Sequence, residues 1–94
     1  MFNCIKVNET MYVACDVLNV RTVPSINSNR WNYLLKDTKV KVIGRSLGWD
    51  IIVIGSKKYF VWNSYLTFVK PENPIEITEL EKEEIIIIET AAAP

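Results

Sequence analysis

Trp49-Asp50-Ile51-Ile52-Val53-Ile54, Gly55-Ser56-Lys57-Lys58 and Tyr59-Phe60-Val61-Trp62 are consecutive, and this stretch decides the fold. The first block is apolar and β-branched enough to read as a central strand. The second is a hairpin turn, with Gly55 where the backbone needs a positive φ. The third is the returning strand. Just upstream, Lys39-Val40-Lys41-Val42-Ile43 alternates charge with apolar side chains. That period of two marks a strand with one face in the core and a lysine-bearing face in water.

Working outward, Ser46-Leu47-Gly48 and Lys36-Asp37-Thr38 are turns. Residues 30–35 are a short aromatic stretch holding Trp31 and Tyr33. Residues 22–29 are a polar loop broken by Pro24, which cannot donate to a central ladder. Leu18-Asn19-Val20-Arg21 is a short strand with Leu18 and Val20 facing one way. Downstream, Asn63-Ser64-Tyr65-Leu66 reads as one helical turn with Asn63 as its N-cap, and Thr67-Phe68-Val69 as the last strand of the body. Five or six short strands, tight turns and no amphipathic helix predict an all-β chain folded as a small open barrel.

Residues 1–11 read as an N-terminal β arm. If residues 2–7 and 11–16 pair about a turn at Asn8-Glu9-Thr10, Cys4 faces Cys15 and a disulfide is geometrically open. Two cysteines are too few for a disulfide framework or a zinc site, and two free thiols are the expectation.

The chain has 94 residues, 49% hydrophobic, which suits one domain with a modest core. Its net charge of zero hides an asymmetry. Residues 1–70 carry ten Lys or Arg against four acids, and residues 71–94 carry Lys82 against seven glutamates. A basic body beside an acidic tail predicts docking of the tail on its own body, a neighbour's body or another basic partner, or else a tail that serves solubility. The composition changes at Lys70, where Pro71 and Pro74 break the pattern. Ile75, Ile77 and Leu80 suit a short strand or a linker. Ile85, Ile86, Ile87 and Ile88 form a β-branched run between glutamates. It reads as a strand for a sheet edge, its own or a partner's, with a helix over residues 78–88 as the alternative. No apolar run is long enough to span a bilayer, and no basic segment followed by an apolar one marks a secretory signal. The expected site of synthesis is therefore the cytoplasm.

Leu18-Asn19-Val20-Arg21 with Pro24-Ser25, Thr38-Lys39-Val40-Lys41-Val42, Gly48-Trp49 and Val61-Trp62-Asn63-Ser64-Tyr65-Leu66 follow one another in the order and near-spacing of the bacterial SH3 (SH3b) family, which the chain resembles over residues 12–69. Val23, Asp37 and Phe60 stand where that family commonly has glycine. The resemblance implies an SH3-like open barrel of five to six strands that binds rather than catalyses. Many members of the family help to target cell-wall enzymes, and others are found in phage particles or mediate protein contacts. The domain reading is then an arm (1–11), a barrel (12–69) and an acidic, Ile-rich tail (70–94).

The absence of histidine excludes His-based acid–base chemistry, Ser-His-Asp triads and His-Cys zinc sites. Asp16, Asp37 and Asp50 fall at strand ends or turns and form no evident pair. Only three glycines are present, and no phosphate-cradling loop. No enzyme, metal or cofactor is expected. Aromatics carry the binding expectation. Trp31, Tyr33, Trp49, Tyr59 and Trp62 are the groove candidates, weighed against core roles, with Trp31 and Tyr33 the best exposed pair. Scattered lysines and a cancelling tail argue against nucleic acid. The expected partners are proteins of a larger assembly, a phage particle being the setting of choice, with a homo-oligomer open and no membrane. The competing expectation is peptidoglycan binding alongside a lytic enzyme.

Overall fold

The central hairpin is formed by β5 (Trp49–Ile54) and β6 (Lys57–Trp62), in full register from Trp49 opposite Trp62 to Ile54 opposite Lys57. Gly55 opens its two-residue turn at φ +64°, the first-position positive φ of a type II′ turn. The structure, a computed structural model, describes residues 4–77 and the backbone of Ala92–Ala93. Chain order gives β1 (Ile5–Val13), β2 (Val17–Arg21), β3 (Arg30–Leu35), β4 (Lys39–Ser46), β5, β6, a 3-10 turn (Asn63–Tyr65), β7 (Leu66–Thr67) and β8 (Ala92–Ala93).

The strands lie in the order β3-β2-β6-β5-β4-β1-β7, all neighbours antiparallel, with β8 parallel to β2. The fold is all-β and barrel-like, as the alternation predicts, with seven antiparallel strands where five or six are expected. On β4 the alternation holds residue by residue: Val40 and Val42 are buried, and Lys39 and Lys41 are exposed. Leu18, Val20, Leu34, Val40, Val42, Ile52 and Val61 form the centre of one core. Each fully buried aliphatic there contributes about 1.5–3 kcal/mol of transfer free energy.

Three local expectations are corrected. Residues 4–16 do not fold as a hairpin. β1 runs unbroken alongside β4, and its register slips by one residue between Lys6 and Glu9. The polar triplet Asn8-Glu9-Thr10 therefore contains a bulge rather than a turn, an extra residue absorbed within a continuing strand. Cys4 and Cys15 are both free, Cys4 exposed and Cys15 half-buried.

Second, Asn63 does not cap the 3-10 turn. Trp62 occupies the cap position with no side-chain bond, and the Asn63 amide instead donates to Asp50 at 2.8 Å. Third, the last body strand stops at Thr67, because the Thr67 hydroxyl accepts the Val69 backbone N–H at 3.1 Å. A side-chain acceptor of this kind competes with the ladder and turns the chain, and Phe68 and Val69 are left exposed.

The chain then returns. Ile75 forms a parallel bridge to Thr38, donating to the Asp37 carbonyl at 3.0 Å and accepting from Lys39 at 2.9 Å. The sharp bend that makes this possible has Asp37 at φ +73°, a left-handed conformation that glycine adopts without strain.

Candidate functional site

The five aromatics proposed for a groove separate into two groups. Trp49 and Trp62 face each other across the β5–β6 ladder, centroids 5.0 Å apart and planes at 80°. Trp49 is buried, and Trp62 lies flat over Gly48, where an added Cβ would stand 2.8 Å from the indole. This pair packs where β5 begins and β6 ends. Trp31 and Tyr59 form the second group, stacked at 4.2 Å with 23° between planes. Tyr33 stands apart from that stack under the Arg30 guanidinium, whose Cζ is 5.6 Å from the ring centroid.

Trp31 owes its position to a bulge. Val20 is opposite Asn32, but Arg21 is opposite Arg30, so Trp31 has no partner in the β2–β3 register. Bulges re-aim side chains, and this one places an indole against Tyr59 of β6 while leaving it 39% exposed. Trp31 therefore shows its indole to solvent while its stacking partner Tyr59 is buried in the core.

A separate polar group on β2 and β3 is made of Asn19, Arg21, Arg30 and Tyr33. Directly opposed residues of an antiparallel pair share a face, which puts Asn19 with Tyr33 and Arg21 with Arg30. Arg30 Nη1 donates to Asn19 Oδ1 at 3.0 Å. Arg21 is only 8% exposed; its Nη1 donates to the Ser28 carbonyl, and its Nε is buried with no acceptor. The loop over it is folded on itself, since Ser28 donates to the Ser25 carbonyl through Oγ (2.7 Å) and N (3.2 Å). Burial, and then the charge of Arg30, hold the Arg21 guanidinium below the usual arginine pKa.

The third arginine is served quite differently. Arg45 Nε lies 2.7 Å from Asp50 Oδ1, and its Nη2 is 2.7 Å from Glu9 Oε1. These hydrogen bonds, Asp50 first, raise the Arg45 pKa. Asp50, the second residue of β5, lies near a strand end as expected, but it is wholly buried and serves as the hub of this network. Among the described residues both ion pairs belong to Arg45, and neither Arg21 nor Arg30 meets a carboxylate.

A separate groove of about 370 Å³ runs along β4 and β5, lined by Lys39, Lys41, Val53, Ile54, Glu76 and others, and none of the five aromatics borders it. Among the described residues no cluster of His, Cys, Asp or Glu could hold a metal ion, and no helix is long and apolar enough to cross a membrane. Ile85, Ile86, Ile87 and Ile88, the proposed docking strand, lie outside the described residues.

Sequence reasoning finds Trp31 and Tyr59 through their aromatic character. It passes over Asn19, Arg21 and Arg30, because nothing in Leu18-Asn19-Val20-Arg21 signals that the arginine closing a short strand is buried beneath the following loop. No family model, curated protein or solved structure matches this chain.

Proposed function

We propose that this chain is a non-enzymatic binding module of the bacterial SH3 kind, working as a small structural or adaptor subunit of a larger assembly such as a phage particle. One observation carries the reading. Ala92–Ala93 adds to the sheet as β8, parallel to Val17–Leu18 of β2. β2 pairs with β6 only at Arg21 opposite Phe60, so the rest of that flank is a strand slot filled from the far end of the sequence. A slot filled by a distal segment in one copy accepts the same segment from a neighbour at little cost, the general route to strand exchange and β-augmentation. The lack of histidine and the commitment of the buried Asp50 to Arg45 support a binding rather than a catalytic role.

The test is the solution mass of the full chain against the chain lacking residues 78–94. The expected result is an oligomer that falls to monomer on truncation, and an unchanged mass would refute the assembly role. A second reading, peptidoglycan binding, is favoured by the exposed Trp31 indole, held on the buried Tyr59 ring. Flat aromatic faces bind sugars and peptides at low entropic cost. Sedimentation of the purified protein with cell walls tests it.

A further inference from the structure

We infer that Arg21 and Arg30 form a carboxylate-binding site whose occupant is the glutamate-rich segment, residues 72–89, of a second copy of this chain. This rests on the assembly role proposed above and names the surface through which it operates.

The site is built around a cation that no carboxylate of the described residues meets. Arg21 is 8% exposed, and the only hydrogen bond its guanidinium makes among the described residues is to the neutral Ser28 carbonyl, through Nη1. Its Nε is buried with no acceptor. Burying a charge without an anionic partner costs free energy, and here a second guanidinium lies directly opposite in the ladder. Among the described residues Arg30 in turn meets neutral groups, the Asn19 carbonyl oxygen and the Tyr33 ring. Two adjacent arginines with neutral partners contrast with Arg45, which takes both described ion pairs. A carboxylate placed between Arg21 and Arg30 would relieve their repulsion and accept the charge-assisted, fork-type hydrogen bonds that guanidinium groups favour. Reaching the Arg21 Nε requires the 22–29 loop to shift, and that loop is held over Arg21 by its Ser28 carbonyl and to itself by Ser25–Ser28 bonds.

Two observations select the occupant. Residues 71–94 carry seven glutamates against one lysine, while residues 1–70 carry a net charge of +6. The chain's own terminus does not compete for the site, because Ala92 and Ala93 pair in parallel with Val17 and Leu18, at the end of β2 away from Arg21.

The experiment measures self-association of the full chain by sedimentation velocity at low salt and at about 0.5 M salt, where exposed charges are screened. Alongside the wild type go Arg30→Gln, which keeps donors without charge, and Arg30→Glu, which reverses the charge. Arg30 is only half-buried, so these variants avoid the folding risk of replacing Arg21, and circular dichroism checks them. The expected result is salt-sensitive association, weakened by about tenfold in Arg30→Gln and more in Arg30→Glu, as loss of a charge-assisted hydrogen bond implies. Association of Arg30→Glu is restored by mixing with a Glu81→Lys/Glu83→Lys/Glu84→Lys chain. Association that is unchanged in both Arg30 variants overturns the site while leaving the strand-slot reading intact. A wild type that stays monomeric at all concentrations overturns both.

Discussion

Arg45 holds Asp50 with two nitrogens, Nε at 2.7 Å from Oδ1 and Nη2 at 3.1 Å from Oδ2, and that carboxylate has no solvent exposure. The same guanidinium reaches Glu9 on β1, and the Asn63 amide completes the acceptor set of Asp50. One buried acid thus ties β1, β4, β5 and the 3-10 turn together. Removing one partner of such a pair leaves an uncompensated buried charge, which costs about 3–5 kcal/mol. Arg45→Met should therefore lose much of the roughly 5–15 kcal/mol available to a small domain. Replacing both groups, as Arg45→Met/Asp50→Leu, should recover at least half of that loss, because the charge goes with its partner. Urea unfolding of the two single variants and the double variant checks this. An Arg45→Met midpoint equal to that of the wild type would mean the pair does not hold the barrel.

The β4–β5 turn carries avoidable strain. Leu47 sits at φ +50° and Gly48 at φ +87°, the double positive φ of a type I′ turn, for which Asn-Gly is preferred. Leu47 is 86% exposed, so its side chain contributes little packing. Leu47→Asn should raise stability by about 1 kcal/mol, the scale of the left-handed penalty for a non-glycine residue. Gly48→Ala should do the reverse. It adds the backbone penalty and drives a methyl into the Trp62 ring, costing about 2–3 kcal/mol together. Paired thermal melts of the two variants read both signs.

Burial, chiefly, raises the Cys15 thiol above its ordinary pKa, with the charge of Asp16 adding to the effect. The folded chain therefore binds the Cys15 proton more tightly than the unfolded chain. The linked stability is fully present below the unfolded thiol pKa and is lost as pH rises through the folded one. The thiolate is the reactive form, so alkylation of Cys15 by iodoacetamide should follow a profile displaced to higher pH in native protein than in urea. Mass spectrometry of Cys15 peptides across pH 7–10 checks this, and coincident profiles would contradict it.

The strands were legible where one face is buried and the other wet. Val40 and Val42 against Lys39 and Lys41, and the apolar run 51–54, fix β4 and β5 by period alone. The turn at Gly55 was equally legible, because a positive φ has few candidate residues. What was hidden depends on register. Asn8-Glu9-Thr10 has turn composition, yet becomes a bulge because β1 has all of β4 to pair with, and Glu9 is then directed at Arg45. Asp50 stands near a strand end as its sequence suggests, but its burial and its pairing with Arg45 were hidden, because that partner lies across the β4–β5 hairpin. The candidate site was half legible. Aromatics announce themselves, but the exposure of Trp31 comes from a bulge and the isolation of Arg21 from a loop folding over it.

The two tryptophan pairs separate a binding role from a structural one. Trp62 packs edge-to-face with Trp49 and covers Gly48. Trp62→Ala should therefore cost about 3–5 kcal/mol, the range for removing a packed aromatic. Trp31 is a bulge residue, partly exposed and stacked on Tyr59 alone among the described aromatics. Trp31→Ala should cost only about 1 kcal/mol, the scale of one aromatic stack. If the stack binds wall polymer, the Trp31→Ala protein should stay folded and lose most of its sedimentation with cell walls, because Trp31 is the ring of the stack that faces solvent. Conversely, Leu47→Asn, remote in sequence from both strands of the stack, should sediment as the wild type does. Equal sedimentation of Trp31→Ala and wild type, both folded, would remove the cell-wall reading and leave assembly as the role of this barrel.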